Sequence, residues 1–522
     1  MSKDIVEWET HFSSKEEAVL RTRLIALQNK IREANVPVYI VLCGVSGAGK
    51  FGTMFLLRDW MDQRSVRMNA YEREDFSDMC QEYMRYWNDN VLNGEIGVFL
   101  RSWYSDPLVR RSTGKIDDKA FYKKLDWCKS LEKTLTDNGA VFCKIWFYKS
   151  KKEQEAYLHT LEDMPYERWR IMESDWKNCA LADDFEKTSK KIVEYTDAPD
   201  APWFAVKKGT YTERVRDGLD IICSYVEKQV EKRVDERKKN VNEDTKPSKK
   251  VEFVKKTDLT ASMGKDKYEQ LLPYYRTRLN ACLAEVKRQN KKLILAFEGP
   301  DASGKGGVIS RISSALHIMQ FRIFPIAAPT KEELNHHFLW RFFKRLNGQK
   351  LMTVFDRTWY GRVLVERIEH FATDKEWKQA FDEINTFEKL LTDGGNIVVK
   401  FLLYIDRDEQ FKRFKAREET AYKMWKIGEE DWRNRDKWDL YDTAYQEMLD
   451  KTDTKIAPWF VVPDNSKKYG RIEAMRLLCE HLEKVLDFKN PTVPPVLKEK
   501  KKKDKDGDGD ADAAKALIEE AD

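Results

Sequence analysis

Gly299-Pro300-Asp301-Ala302-Ser303-Gly304-Lys305-Gly306-Gly307 follows the apolar run Leu293-Ile294-Leu295-Ala296-Phe297 and leads into a helix-like segment from Val308. The order is strand, glycine-rich loop, helix. Such a loop aims successive backbone N–H groups and the positive end of a helix dipole at an anion, while a lysine adds a mobile charge for a phosphoryl group in transfer. Glycines are needed because side chains would hold the backbone away from the phosphate. Gly299, four residues, then Gly304-Lys305 fit the phosphate-loop spacing, but Gly306 stands where that pattern has the Ser or Thr that binds magnesium. Asp301, inside the loop, is the substitute, since a carboxylate is a good ligand for a hard cation. A glycine-rich turn without a ligand is the alternative, and the flanking strand and helix signals count against it.

Comparing the chain with itself sets the architecture. Arg21-Thr22-Arg23-Leu24 recurs as Arg276-Thr277-Arg278-Leu279, and the stretch from Gly44 to Lys50 recurs from Gly299 to Lys305, both at a separation of 255 (276 − 21 and 299 − 44). Leu135-Thr136-Asp137 matches Leu391-Thr392-Asp393, and Ala201-Pro202-Trp203-Phe204 matches Ala457-Pro458-Trp459-Phe460, now at 256. One residue of slippage over that length means two copies of one domain. Each copy reads as a leading helix (about Ala18 to Ala34; about Pro273 to Asn290), a buried strand (Val38 to Leu42; Leu293 to Phe297), the loop and its helix, and a second strand. A helical stretch, a third strand (Ile96 to Leu100; Leu351 to Phe355) and a fourth (Val141 to Phe147; Ile397 to Ile405) follow. Alternating strands and helices predict a parallel sheet covered on both faces, with ligands at the strands' C-terminal ends. The expected division is a first copy over 1–230, a charged linker over 231–262, a second copy over 263–490 and a disordered charged tail over 491–522. The tail's acidic part resembles a calcium loop, but Lys515 stands where the bidentate Glu belongs.

The 522 residues, 41% hydrophobic, suffice for two sizeable cores. A net charge of +5, from 94 basic and 89 acidic residues, is too small to imply nucleic acid. Eight cysteines, none in a Cys-x-x-Cys pair, point to reduced thiols in a cytoplasmic protein. The first ten residues carry three acids and one lysine without an apolar core, so a secretory signal is not expected there, and no apolar run has membrane-spanning length. No nucleic acid or membrane partner is therefore expected, and a homo-oligomer is left open.

Further chemistry is expected where Asp356-Arg357-Thr358-Trp359-Tyr360-Gly361-Arg362 ends the third strand. An acid there reaches a metal beside the loop lysine, so Asp301 and Asp356 are expected to share magnesium, with Arg357 and Arg362 facing phosphate oxygens. The segment from Phe411 to Tyr441, with Arg413, Arg417, Lys426, Arg433, Arg435 and Lys437 among its cations and Trp425, Trp432 and Trp438 between them, reads as a helical lid. Arg322 is expected to reach a polyanion channel, whereas His336-His337 reads as part of a surface helix. In the first copy Asp301 is replaced by Ser46, Gly306 by Phe51 and Asp356 by Leu100, and the lid arginines 413 and 417 by Tyr157 and Leu161. Residues lost together are those given a task, so the first copy is expected to be inactive and to pack, pair or help hold a polyanion, with the second copy active.

Phe297-Glu298-Gly299-x-Asp301-x-x-Gly304-Lys305-Gly306-Gly307, the strand end Phe355 to Tyr360, Trp425-Lys426 and Ala457-Pro458-Trp459 together resemble the type-2 polyphosphate kinases, closely over Tyr274 to Asp487 and loosely over Val19 to Tyr225. The duplicated form is similar to the polyphosphate:AMP phosphotransferase branch. Pro300, where the family commonly has Arg, and Thr358, where it has Ser, depart from the pattern. The resemblance implies a P-loop kinase-like three-layer α/β fold with a helical lid in two tandem copies. It also implies inorganic polyphosphate as donor, AMP as acceptor giving ADP, and Mg2+ as cofactor. The expected catalytic residues are Asp301, Lys305, Asp356 and Arg357, with Asp301 and Asp356 on the metal. Phosphate or nucleotide contacts are expected from Gly299, Ser303, Gly304, Gly306, Gly307, Arg322, Arg362, Arg417, Lys426 and Arg433. Two other readings are an ATP-dependent nucleotide kinase, which would carry Ser or Thr after Lys305, and a non-catalytic polyphosphate-binding scaffold.

Overall fold

A computed structural model describes residues 10, 12–71, 79–164, 168, 171, 173–238, 251–346, 350–419 and 428–495. The chain divides into two compact units, residues 1–77, 81–241 and 329–344 in the first and 78–80, 242–328 and 345–522 in the second. Among the described residues ten strands form two sheets. The first contains β1 (Val38–Gly44), β2 (Val66–Ala70), β3 (Ile96–Leu100), β4 (Val141–Phe147) and β5 (Trp203–Val206). The second contains β6 (Lys292–Glu298), β7 (Phe321–Pro325), β8 (Met352–Asp356), β9 (Asn396–Tyr404) and β10 (Trp459–Pro463). Their orders are β2-β3-β1-β4-β5 and β10-β9-β6-β8-β7, one order written from opposite edges, and every pairing is parallel. The expected α/β fold is therefore present twice.

Covering both faces of a parallel sheet makes its central strands apolar throughout, and β9 is buried at every residue. In the second unit Leu295, Phe297, Val354 and Val399 pack against Leu279, Leu283 and Val286 of helix Lys265–Arg288 and Met475 and Leu478 of helix Lys467–Val485. The first unit repeats this core with Ile40, Leu42 and Val98 against Leu24 and Leu27 of helix Ser14–Ala34 and Leu219 and Ile222 of helix Tyr211–Lys238. Cys43, Cys128, Cys143, Cys179, Cys223, Cys282 and Cys479 are buried free thiols, and among the described residues no helix is long and apolar enough to cross a membrane.

Several boundaries differ from expectation. Helix Lys265–Arg288 begins eight residues before Pro273, which it carries in its interior; neighbouring packing outweighs the helix-breaking signal. β5 and β10 follow Ala201-Pro202 and Ala457-Pro458, whose recurrence was visible although a strand was not expected there. Helix Tyr211–Lys238 extends past residue 230 and buries Val230 and Arg233. At the other end of the expected linker, Phe253 is buried with its ring 5.0 Å from that of Tyr404. The helix thus continues into the expected linker, and Phe253 packs in its later part. Residues 239–250, and 496–522 of the expected tail, lie outside the described residues.

Candidate active site

In the second unit the loop leaves β6 and enters helix Lys305–Ser313, with Gly304 as its N-cap at φ 103°. Two glycines there are required by space. A Cβ on Gly299 would lie 2.1 Å from the Leu403 carbonyl oxygen, and one on Gly304 would lie 2.0 Å from Asp464 Oδ2. Gly307 lies beneath the Arg471 guanidinium, whereas a Cβ on Gly306 would meet open space, so no protein atom requires glycine at that position. The Ser303 side chain is buried and its hydroxyl finds no hydrogen-bond partner among the described residues.

Lys305 Nζ folds back on the loop and donates to the carbonyl oxygens of Gly299 at 2.7 Å and Pro300 at 3.2 Å. Burial pulls its ammonium below the ordinary lysine range, and the charges of Asp356 and Asp301 oppose that pull. Both acids therefore lie within electrostatic reach of the loop lysine. Asp356 ends β8 in register with Phe297. Burial would raise the Asp301 pKa, but Arg357, Lys305 and a hydrogen bond from Asn434 outweigh it and the net shift is downward. Arg357 Nη2 donates to Asp301 Oδ1 at 2.8 Å and Asn434 Nδ2 to Asp301 Oδ2 at 2.9 Å. Arg357 has φ 62°, a left-handed conformation unusual for a side-chain-bearing residue, in the turn leaving β8.

Of the lid, helices Arg407–Glu419, Glu429–Asp436 and Trp438–Thr452 are described. Arg417 is within electrostatic reach of Asp431 and Asp301, which oppose the lowering of its pKa by burial. Arg413 braces the loop: its Nη1 donates to the Ala302 carbonyl at 2.8 Å and to Asp464 Oδ2 at 3.4 Å. Gln410 Nε2 donates to the Asp301 carbonyl at 3.0 Å.

Three residues expected to contact phosphate have other partners here. Arg362 is paired with Glu366 at 3.1 Å, because the short 3-10 turn Trp359–Arg362 brings it over the following helical turn rather than the loop. Arg433, half exposed, pairs with Glu369 at 3.4 Å. Arg322 lies on edge strand β7 opposite Thr353, three residues (about 10 Å) short of Asp356, and its guanidinium covers the Phe324 ring. His336 and His337 belong to the first unit, where His337 lies against Trp87. Lys426 and Trp425 lie outside the described residues.

Sequence reasoning missed Asn434, Asp431, Gln410 and Asp464. Asp464 is buried against the loop, and burial pushes its carboxyl up to about 7 despite Arg413. Also missed was a buried ionic network behind the site. Lys400 Nζ donates to Glu388 Oε2 at 2.7 Å, Tyr360 OH at 2.9 Å and the Thr452 carbonyl at 2.7 Å, while Trp359 Nε1 donates to Glu388 Oε1 at 3.0 Å. The first unit repeats it through Lys144, Glu132, Tyr104, Thr196 and Trp103. The signal was present in the sequence, since each pair of counterparts is separated by 256 residues.

Among the described residues no cluster of three or more His, Cys, Asp or Glu side chains could hold a metal ion. Asp301 in the loop and Asp356 at the end of β8, both within electrostatic reach of Lys305, are the carboxylates that would hold a magnesium ion here.

The profile of the polyphosphate kinase 2 (PPK2) family matches residues 8–237 and again 262–489. A polyphosphate:AMP phosphotransferase of Pseudomonas aeruginosa is 37% identical over 469 residues, covering 89% of this chain and 94% of that protein. One from Acinetobacter johnsonii is 33% identical, with 88% and 94% covered. A crystal structure from Pseudomonas aeruginosa, provisionally named polyphosphate kinase 2, superposes with a TM-score of 0.78 at 35% identity, covering 92% of this chain and 98% of that one.

Proposed function

The chain belongs to the polyphosphate kinase 2 family, and from that premise we propose that its second copy transfers the terminal phosphoryl group of inorganic polyphosphate to AMP, giving ADP. The observation that carries this reading is the convergence of Asp301, Asp356, Arg357 and Arg417 around Lys305 and its loop, set against Ser46 and Leu100 at the two acid positions of the first copy.

Phosphoryl transfer passes through a loose transition state with charge spread over the equatorial oxygens, so catalysis is mainly positioning and charge neutralisation. Lys305, resting on the Gly299 and Pro300 carbonyls, turns to the entering phosphate, where its ammonium meets a stronger acceptor. The loop N–H groups hold that phosphate in line, and Arg357 and Arg417 neutralise the developing charge. The acceptor phosphate is already ionised and needs little base catalysis. Asp301 and Asp356 would hold Mg2+, which supplies Lewis-acid polarisation of the phosphoryl oxygens. Asp301 is freed for that task when Arg357 turns from its carboxylate to phosphate. The first copy, without either acid, does not turn over.

The test is incubation of the purified chain with polyphosphate, magnesium and AMP, ADP or GMP in turn, without ATP. ADP should appear from AMP. Transfer that requires ATP would replace this reading with an ordinary nucleotide kinase, and binding without product would replace it with a scaffold.

A further inference from the structure

The first unit contains a cavity of about 740 Å³ at the C-terminal ends of β1, β3 and β4. Its floor is the loop of the copy that has lost both metal-position acids: Gly44, Ser46 and Lys50 line it, together with Arg101. What binds an anion has been kept there. Lys50 Nζ folds onto the Gly44 carbonyl at 2.6 Å, just as Lys305 folds onto that of Gly299, and Arg101 has φ 54° where Arg357 has 62°. Burial lowers the Lys50 pKa to about 8, leaving most of its charge at neutral pH.

The rest of the wall is of two kinds. Lys149, Lys151 and Lys207 add positive charge; of the lining acids Asp106, Glu153, Asp175, Asp183 and Glu186, Asp106 is paired with Arg110 and Lys124 and Glu186 with Lys190. Leu108, Val109, Trp146, Tyr148 and Phe185 supply apolar and aromatic surface. A bare phosphate chain gains nothing from those five. A flat heteroaromatic base joined to phosphate uses both walls, and the volume lies in the usual range for a small-molecule site.

We propose that the first copy is a non-catalytic nucleotide site, in which a nucleoside mono- or diphosphate seats its phosphate on the Gly44–Lys50 loop and Arg101 and its base against the aromatic and aliphatic wall. Seating there needs no metal-position carboxylates, so the loss of Asp at positions 46 and 100 abolishes transfer without abolishing binding.

Photolabelling of the full chain with an azido-adenine monophosphate, followed by peptide mapping, tests this. Label is expected on first-copy peptides spanning 146–151 or 182–190, displaced by unlabelled AMP and not by tripolyphosphate at the same concentration. The double substitution Lys50→Ala and Arg101→Ala should lower first-copy labelling more than tenfold and leave second-copy labelling in place. Absence of label from the first copy, label that AMP does not displace, or label that tripolyphosphate displaces equally well would each overturn the proposal. Mapping of the unsubstituted chain decides the matter even where the double variant does not fold. Because peptides from the two copies are read separately, failure here is distinguishable from failure of transfer in the second copy.

Discussion

The loops at 44–50 and 299–305 share one backbone course and differ in what holds them. In the second, Arg413 reaches in from the lid helix to the Ala302 carbonyl and to Asp464, and Gly470 is required because a Cβ there would lie 1.9 Å from Asp464 Oδ1. In the first, Tyr157 occupies the Arg413 position and its ring crowds Gly47, Lys208 replaces Asp464, and Arg214 stands where Gly470 would be. Arg214 Nε then donates to the Ala48 carbonyl at 3.1 Å, so a guanidinium still braces the loop, but from another helix. Ser46 donates to Asp175 at 2.9 Å where Asp301 accepts from Arg357 and Asn434. The anion cradle of the first copy is braced although both acids are absent from it. That pattern fits retained binding better than general decay.

The strongest way to break this contrast is to remove each lysine in turn. Lys305→Ala, or Asp356→Asn, should lower phosphoryl transfer on the order of a thousandfold, while Lys50→Ala lowers it less than tenfold, read as ADP formed from AMP and polyphosphate. Equal losses from the two lysine variants would refute the assignment of turnover to the second copy. The shared frame offers the opposite test. Lys400→Met and Lys144→Met each leave a buried glutamate without its partner and should each cost about 3 kcal/mol in denaturant unfolding. A cost confined to one copy would show that the two networks do not serve the same structural role.

The smallest effect concerns Asp464. Its folded pKa, about 7, lies above that of an unfolded Asp, so the native state binds the extra proton between about pH 4 and 7 and stability falls as pH rises through that window. Asp464→Asn should flatten the fall in melting temperature between pH 5 and 8 by about 2–4 °C. No first-copy counterpart of this slope is expected, since position 208 is Lys. A slope that persists in the Asn variant would assign it to another group.

The two copies, the strand-loop-helix order and the loop lysine were legible because each is local, and internal repetition checks every segment against its counterpart. Asp301, Asp356 and Arg357 were legible for the same reason: they lie in the loop or at a strand end whose direction the sheet dictates. The ion pairs of Arg362 and Arg433 were not legible, because a cation's position along a segment does not say which way its side chain leaves a turn. Nearby Glu366 and Glu369 took them instead. Asn434 and Asp464 carried no signal, being common polar residues more than 130 positions from the loop they touch.

The sequence by itself determined that one α/β domain was written twice and that only the second writing kept two acids beside its loop lysine. Only the tertiary structure decided which distant side chains converge on each loop, that Arg214 and Arg413 brace equivalent loops from different helices, and that the first copy retains a cavity. Periodicity assigns a residue to a face of its own element, whereas convergence depends on how several elements pack, and packing brings together residues that the chain keeps far apart.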